Sequence, residues 1–447
     1  MSEILAIDIG SSKICALIAK LENGSLTIVG SGVARSQGLK KGAIVNIENV
    51  AKAIKSAHTD ACSQAGIEIA RAIVSINGAY VNSVDSHGLA SIPTKEIMLK
   101  DINRAMENAI YHASILPDYE IVHALPFDFK VDDQTGVQDP VGMSASRLEM
   151  SVHIIIAQKS ALENLRKALD AAGITIANIV LCGYASALAI LSDDEKERGA
   201  CVIDIGGATS NLLIYSSGAP RYNDVFAVGG SNITADLAYG VHTTLTAAER
   251  IKIEHGSLTA QSNGTIEVPA TDNEGATRPA SLDVMSKVIA ARIEETLLVL
   301  AGQLDKSQMK KSMGAGIVLT GGASKHEGLA ELASPIFNNA SVRIARAKTI
   351  NGSGEALRDP VYAAALGLLR YAAGEATLYE RDSACNLRVK TPSVVANATK
   401  GGNFAENEPL QEKEKPNLTD ITSIPNPEPV SPFGKLRQFW EWLSKIF

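Results

Sequence analysis

The sequence predicts an α/β fold: a body of two similar halves with two inserted subdomains, then a linker and a short amphipathic helix. Three observations carry this. A pattern of apolar run, acid, glycine turn and apolar run occurs twice, as Cys201-Val202-Ile203-Asp204-Ile205-Gly206-Gly207-Ala208-Thr209-Ser210-Asn211 and as Leu5-Ala6-Ile7-Asp8-Ile9-Gly10-Ser11-Ser12-Lys13. A third glycine turn, Gly321-Gly322-Ala323-Ser324, closes the apolar run Ile317-Val318-Leu319-Thr320. Periodicity then fades near Tyr379 and returns only from Phe433 to the end of the chain.

With 447 residues the chain can hold two or more domains, and 45% hydrophobic against 20% charged residues implies a large core. Ala, Ile, Val and Leu do the packing, since aromatic residues make up only 4%. A net charge of −7 counts against nucleic acid as a partner. The five cysteines show no CxxC spacing and read as buried thiols of a reducing compartment. The histidines form no HExxH or metal cluster. The start, with Glu3 and Asp8, runs directly into a strand, so no signal peptide is expected. No apolar run approaches the length of a membrane span, and a cytoplasmic protein is expected.

In chain order, residues 4–35 read as a three-stranded meander turning at Asn23-Gly24. Ile47 to Ala65 has helical spacing and should end at Gly66, and Arg71 to Ile76 is a core strand. Residues 84–162 change character. Lys100 to Ser114 reads as an amphipathic helix, Glu120 to Asp132 as a strand with a break at Pro126, and Leu148 to Ala157 as a strand. Together they form a small α+β insertion. Lys159 to Ala172 is a helix, and Ile179-Val180-Leu181 leads into a small-residue helix from Gly183 to Leu191. Such a helix suits close approach of a partner, or plain core packing.

After the second glycine turn, Gly229 and Gly230 offer N–H groups at the start of a helix that reaches Tyr239. Thr246 and Glu249 are spaced as a capping box, and Glu249 and Lys252 share a helix face. Spacing alone leaves that last pair equally well explained as a solvated ion pair. Leu282 to Leu304 reads as a long amphipathic helix, Gly328-Leu329 opens another, and Pro360 to Leu369 is a second small-residue helix. Residues 391–432 hold Pro, Asn, Gly and Glu with little that is apolar, the composition of a disordered linker.

The repeated turns carry the chemistry. Asp8 matches Asp204, Gly10 matches Gly206, and Ser12 falls where Ala208 does. One copy alone reads as an ordinary hairpin with a stray acid. Two copies in matching context point to an internal duplication whose halves face a shared site. A lone carboxylate in a buried strand is costly unless something pairs with it, and a metal ion or its water is a natural partner. Small turn residues let backbone N–H groups approach an anion. The pattern reads as a phosphate-and-Mg²⁺ clamp. No GxxxxGK[ST] and no GxGxxG is present.

At the far end, Leu436, Phe439, Trp440, Leu443, Ile446 and Phe447 fall on one helical face, flanked by Lys435, Arg437 and Lys445, with Phe433 just before. Both tryptophans of the chain lie here. Aromatic and apolar residues beside basic ones suit a membrane interface of anionic lipid. Docking on the chain's own body or on another protein is the other reading.

Paired DxG turns with a late Leu-Thr-Gly-Gly-Ala-Ser turn resemble the actin-like ATPase superfamily. Within it, the His123-x-Leu125-Pro126, Val131-Asp132 and Pro140-Val141-Gly142-Met143 pieces of the insertion, with the terminal helix, resemble the FtsA family of bacterial division proteins. The resemblance runs from end to end. It implies an actin-like subdomain 1A over 1–83, 163–195 and about 352–378, and an FtsA-type insert 1C over 84–162. Subdomain 2A would take 196–228 and 309–351, 2B 229–308, the linker 379–432 and the membrane-targeting helix 433–447.

The resemblance also implies ATP and Mg²⁺. Asp8 and Asp204 would hold the metal. Gly10, Ser11, Ser12, Lys13, Gly206, Gly207, Ala208 and Thr209 would cradle phosphates, with Gly229 and Gly230 adding N–H groups. Lys13 could reach a phosphate or turn to solvent. Glu249 and Lys252 would lie near the ribose and base, and Gly321, Gly322 and Ala323 would border the adenosine. It further implies self-polymerisation at the cytoplasmic face of the inner membrane and the tubulin-like protein FtsZ as partner, with later division proteins joining. No residue is identified that positions a hydrolytic water, so strong ATPase activity is not expected. A metabolic kinase of the same superfamily lacks a visible general base here, and a PilM-like pilus scaffold leaves the terminal helix without a purpose.

Overall fold

A computed structural model describes residues 2–258, 264–270 and 276–390. The expected linker from residue 391 and terminal helix, with Phe433, Lys435, Leu436, Arg437, Phe439, Trp440, Leu443, Lys445, Ile446 and Phe447, lie outside the described residues. The first half opens with β1 (Ser2–Ile9), β2 (Lys13–Glu22) and β3 (Ser25–Arg35), then the short pair β4 (Leu39–Lys40) and β5 (Ala43–Ile44), α1 (Ile47–Ala65) and β6 (Arg71–Ile76). Asn46 caps α1 by accepting from Asn49 N at 2.9 Å, and Gly66 ends it at φ 64°, a conformation that only glycine takes freely.

The chain then builds β7 (Val81–Ser91), α2 (Leu99–His112), β8 (Tyr119–Val131), β9 (Gln134–Val137) and β10 (Arg147–Gln158). It returns through α3 (Lys159–Ala171), β11 (Thr175–Leu181), α4 (Cys182–Ile190) and α5 (Asp193–Arg198). The second half comprises β12 (Ala200–Ile205), β13 (Ser210–Ser216), β14 (Ala219–Phe226), α6 (Gly230–Gly240), α7 (Leu245–His255), β15 (Thr265–Pro269), β16 (Thr277–Ser281) and α8 (Leu282–Lys306). It closes with β17 (Ile317–Thr320), α9 (Leu329–Ile336), β18 (Val342–Ile344), α10 (Ala363–Ala372), β19 (Tyr379–Arg381) and β20 (Leu387–Val389).

The duplication is visible in the sheets. One has the order β11-β6-β1-β2-β3 and another β18-β17-β12-β13-β14, so each half pairs an antiparallel meander with a parallel strand beside its first member. These central strands are apolar on both faces, as mostly buried sheets require. Helices α4 and α10 pack backbone to backbone: a Cβ on Gly367 would collide with the Ala185 carbonyl. Among the described residues, no helix is long and apolar enough to cross a membrane.

Four expectations need correction. Residues 379–390 are not linker, for β19 and β20 extend the inserted sheet, whose order is β20-β19-β8-β10-β7. Glu380 is fully buried, bonded to His123 Nδ1 at 2.7 Å and accepting from the hydroxyls of Tyr371 at 2.6 Å and Tyr184 at 3.1 Å. Pro126 does not break β8, because a shift in register against β10 falls beside it and spares the missing N–H. The cap of α7 is Thr244, whose hydroxyl accepts from Ala247 N at 3.2 Å, so Thr246 with Glu249 forms no capping box. Finally, Cys15, Cys182 and Cys201 are buried, but Cys62 is half-buried and Cys385 exposed.

Candidate functional site

The two acid-bearing hairpins close on the same turn. Gly10 N donates to Lys13 O at 3.0 Å, and Gly206 N to Thr209 O at 2.9 Å. A Cβ on either first glycine would sit 2.9 Å from that same carbonyl, closer than side chains are found. Asp8 and Asp204 stand one residue before the end of their strands, each only 6% exposed. Asp8 accepts from Ser75 Oγ at 2.7 Å, and that hydroxyl accepts from Ile9 N at 2.9 Å. Asp204 accepts from Ser186 Oγ at 2.6 Å and from the Cys182 thiol at 3.8 Å.

Burial pushes both carboxyls above the ordinary range. For Asp8 the Lys13 charge and the Ser75 bond pull back against it. Asp204 reaches about 6, burial acting most, the Ser186 bond opposing it and the Asp8 charge adding to it. Two hard-oxygen acids that are costly to ionise in place fit a divalent cation such as Mg²⁺, which is commonly bound by one or two carboxylates with water and phosphate oxygens. Among the described residues, no group of three or more His, Cys, Asp or Glu side chains gathers to hold a metal alone.

The turns converge. A Cβ on Gly207 would collide with Ser12 Oγ, so the first two turns face each other. Gly229 lies against the second turn: its Cβ would stand 2.7 Å and 2.8 Å from the carbonyl oxygens of Gly206 and Gly207. Gly230 N and Ser231 N donate to those carbonyls at 2.9 Å and 2.6 Å, and Gly229 N donates to Asn232 Oδ1 at 3.1 Å, so neither glycine has the spare N–H expected of it. A Cβ on Gly230 would lie 3.4 Å from both Ala323 Cβ and Lys252 Nζ, which brings the third turn and α7 into the same neighbourhood. Gly321, at φ 88°, approaches Asp204 so closely that a Cβ would collide with its carboxylate; Gly322 follows in a 3₁₀ turn over Gly322–Lys325.

Lys252 donates to Glu249 at 2.7 Å, to Thr234 Oγ1 at 2.9 Å and to Gly230 O at 3.1 Å, and the Thr234 hydroxyl donates to Glu249. Lys252 thus ties α7 to α6 with a largely buried ammonium, while Glu249 keeps an exposed side. Ser11, Gly206, Gly207 and Ala208 are half-buried and Ser12 is exposed, whereas Thr209 is buried. Lys13 does not turn to solvent. Its ammonium is buried, has no hydrogen-bond partner, and stands 3.7 Å from the centre of the Tyr362 ring. A buried cation with three unspent donors is the feature that best fits a polyphosphate.

Four residues of this arrangement were not singled out from sequence: Ser75, Cys182, Ser186 and Tyr362. The first three are polar or sulfur-bearing residues inside or beside apolar runs, and that oddity is the only signal they give.

A family model described as "Cell division protein FtsA" matches residues 201–367, and one described as "SHS2 domain inserted in FTSA" matches 78–156. Cell division protein FtsA of Neisseria meningitidis serogroup B is 39% identical over 374 residues, 83% of this chain and 90% of that protein. The Pseudomonas aeruginosa protein of the same name is 37% identical over 372 residues, covering 82% and 88%, and that of Escherichia coli K12 31% over 381 residues, covering 82% and 90%. Among solved structures, a PilM-PilN type IV pilus biogenesis complex matches with TM-score 0.60 and 18% identity, over 83% of this chain and 99% of that one. MreB5 of Spiroplasma citri bound to ADP matches with TM-score 0.50 and 14% identity, over 83% and 98%. These structural likenesses bear on the fold, which is that of the actin-like ATPases.

Proposed function

The chain belongs to the FtsA family of bacterial cell-division proteins, and from that premise we propose that it is a nucleotide-controlled membrane anchor. It binds Mg²⁺-ATP between its halves and polymerises. It holds FtsZ at the cytoplasmic face of the inner membrane and helps to recruit later division proteins. The observation that carries nucleotide binding is the convergence of both acid hairpins around the unpartnered Lys13 ammonium. Asp8 and Asp204 would hold Mg²⁺, which when bound would neutralise phosphate charge. Gly10, Ser11, Ser12, Gly206, Gly207 and Ala208 would line the phosphates. Glu249 and Lys252 would face the ribose and base, with Gly321, Gly322 and Ala323 bordering the adenosine. In the actin-like division into 1A, 1C, 2A and 2B, α4 and α10 would form the hinge.

Residues 433–447 supply the membrane contact in this reading, with Phe433, Leu436, Phe439, Trp440, Leu443, Ile446 and Phe447 toward lipid and Lys435, Arg437 and Lys445 toward its headgroups. An apolar side chain is worth about 1.5–3 kcal/mol when fully buried, and an interfacial helix buries only part of each, so one tail binds reversibly. A linker over 391–432, about 40 residues, spans on the order of 35 Å. Many tails on one polymer bind firmly through effective concentration. Co-sedimentation with anionic liposomes tests this, comparing the full chain with one ending at Pro432, with and without ATP. The full chain pellets, more so with ATP, and the truncated one stays in solution. Equal behaviour of the two would make the tail a protein-docking helix and remove the anchor.

A further inference from the structure

Lys13 is held by its main chain and released by none of its neighbours. Its carbonyl accepts from Gly10 N at 3.0 Å, which fixes where the side chain starts. Its ammonium makes no hydrogen bond and no ion pair, although it lies near enough to Asp8 and Asp204 to stabilise both as anions. What it does touch is the face of Tyr362, 3.7 Å from the ring centre. An aromatic face attracts a cation without using any of its N–H donors. The matching position of the second hairpin is Thr209, so of the two hairpins only the first carries such a cation.

Tyr362 is itself tied on two sides. It ends the 3₁₀ turn Pro360–Tyr362, which Asp359 caps by accepting from Val361 N at 3.0 Å. The other Asp359 oxygen accepts from Lys325 Nζ at 2.6 Å, which clips this turn to the third glycine turn. A Cβ on Gly322 would meet Val361 Cγ2 at 3.4 Å, so the two turns are also packed together. On its other side Tyr362 runs directly into α10.

We propose that Tyr362 is a positioning residue, which holds the Lys13 ammonium over the junction of the two acid hairpins with its donors free for a polyphosphate. This rests on the nucleotide reading above and adds the residue that arms it. An arriving polyphosphate then meets a cation that needs no reorientation and has no carboxylate partner to give up. Because the ring is tied to the third turn and to α10, a shift of either moves the cation.

The test measures ATP affinity of the full chain, with its melting temperature as a check on folding. Lys13→Gln removes the cation and weakens ATP by roughly tenfold or more, the scale of a lost charge-assisted bond. Tyr362→Leu weakens it comparably, Tyr362→Phe restores it, and Tyr362→Leu adds little on top of Lys13→Gln. The same affinity for Tyr362→Leu as for wild type overturns the proposal, and so does a loss that adds in full to that of Lys13→Gln, which would mark a merely structural role. A folded wild-type chain that binds no ATP removes the nucleotide reading and this inference with it.

Discussion

In the first acid hairpin, Asp8 leans on Ser75, a residue of the parallel strand beside it; in the second, Asp204 leans on Ser186, a residue of helix α4. Yet the second half has a hydroxyl where Ser75 would be. Thr320 pairs with Asp204 across β12 and β17, as Ser75 stands beside Asp8 one residue past Ile7 and Val74, the last pair of β1 and β6. The turns are otherwise alike to within 0.1 Å in their closing bonds, at 3.0 Å and 2.9 Å. The two acids are thus anchored to different bodies: Asp8 to its own rigid sheet, Asp204 to a helix that packs against α10. The asymmetry teaches that one duplicated backbone can tie one carboxylate to its own sheet and the other to a helix of a packed pair.

The comparison breaks first if α4 is not itself well anchored. Its Tyr184 meets Tyr371 of α10 and His123 of the inserted sheet at the buried carboxylate of Glu380. Removing one partner of a buried pair typically costs 3–5 kcal/mol, so Glu380→Ala should lose about that much on denaturant unfolding. A loss under about 1 kcal/mol would mean that the network does not brace α4.

The next contrast lies at the end of the parallel strand. One position after Ser75 the first half has Ile76, while one position after Thr320 the second has Gly321 at φ 88°. Gly321→Ala would strain the backbone and press on Asp204 and on Ile205 O, 2.5 Å away, costing about 3 kcal/mol or more. Loss of ATP binding by a variant that still folds at low temperature would tie the cost to the site. Unchanged stability would show that the third turn can retreat from the second.

How much of this could be read beforehand follows from where periodicity exists. The acid hairpins were legible because charge inside an apolar run, repeated, has few structural explanations. Helix α1 was legible to the residue, since Gly66 marks its end and apolar spacing its face. The strands β19 and β20 were not: three residues each, joined to the inserted sheet through the single pair Arg381 and Ala124, carry no period to read. Thr244 lost to Thr246 because two threonines two apart both fit a cap and only backbone geometry chooses. Ser75, Ser186 and Tyr362 escaped for a similar reason, since their partners are distant in sequence. The residues that tell the two hairpins apart were the hardest to see.

Protonation sharpens the contrast further. Asp204 holds its proton up to about pH 6, above its ordinary 3.8. A carboxyl raised in this way contributes stability that is fully present below 3.8 and is lost as pH climbs through 6. Ligand-free protein should therefore lose up to about 3 kcal/mol between pH 4 and 7 through this group. Asp204→Asn should flatten that part of the stability profile, as measured by urea unfolding across the range. A slope that persists in the variant would assign the loss to another group.

The smallest difference separates the two serines. Ser75 Oγ serves both Ile9 N and Asp8, so Ser75→Ala leaves a buried N–H without a partner as well as losing a bond to the acid; about 2–3 kcal/mol is expected. Ser186 Oγ donates to Asp204 and satisfies no backbone N–H of a neighbouring strand as Ser75 does, and Ser186→Ala should cost about 1–2 kcal/mol. The order should reverse when the readout is communication and not stability. If Asp204 follows α4, ATP should change the hydrogen-exchange protection of α4 and α10 in wild type and in Ser75→Ala, and much less in Ser186→Ala. Equal responses in the two variants would mean that the helix pair and the acid move independently, and the asymmetry of the hairpins would then be one of anchoring alone.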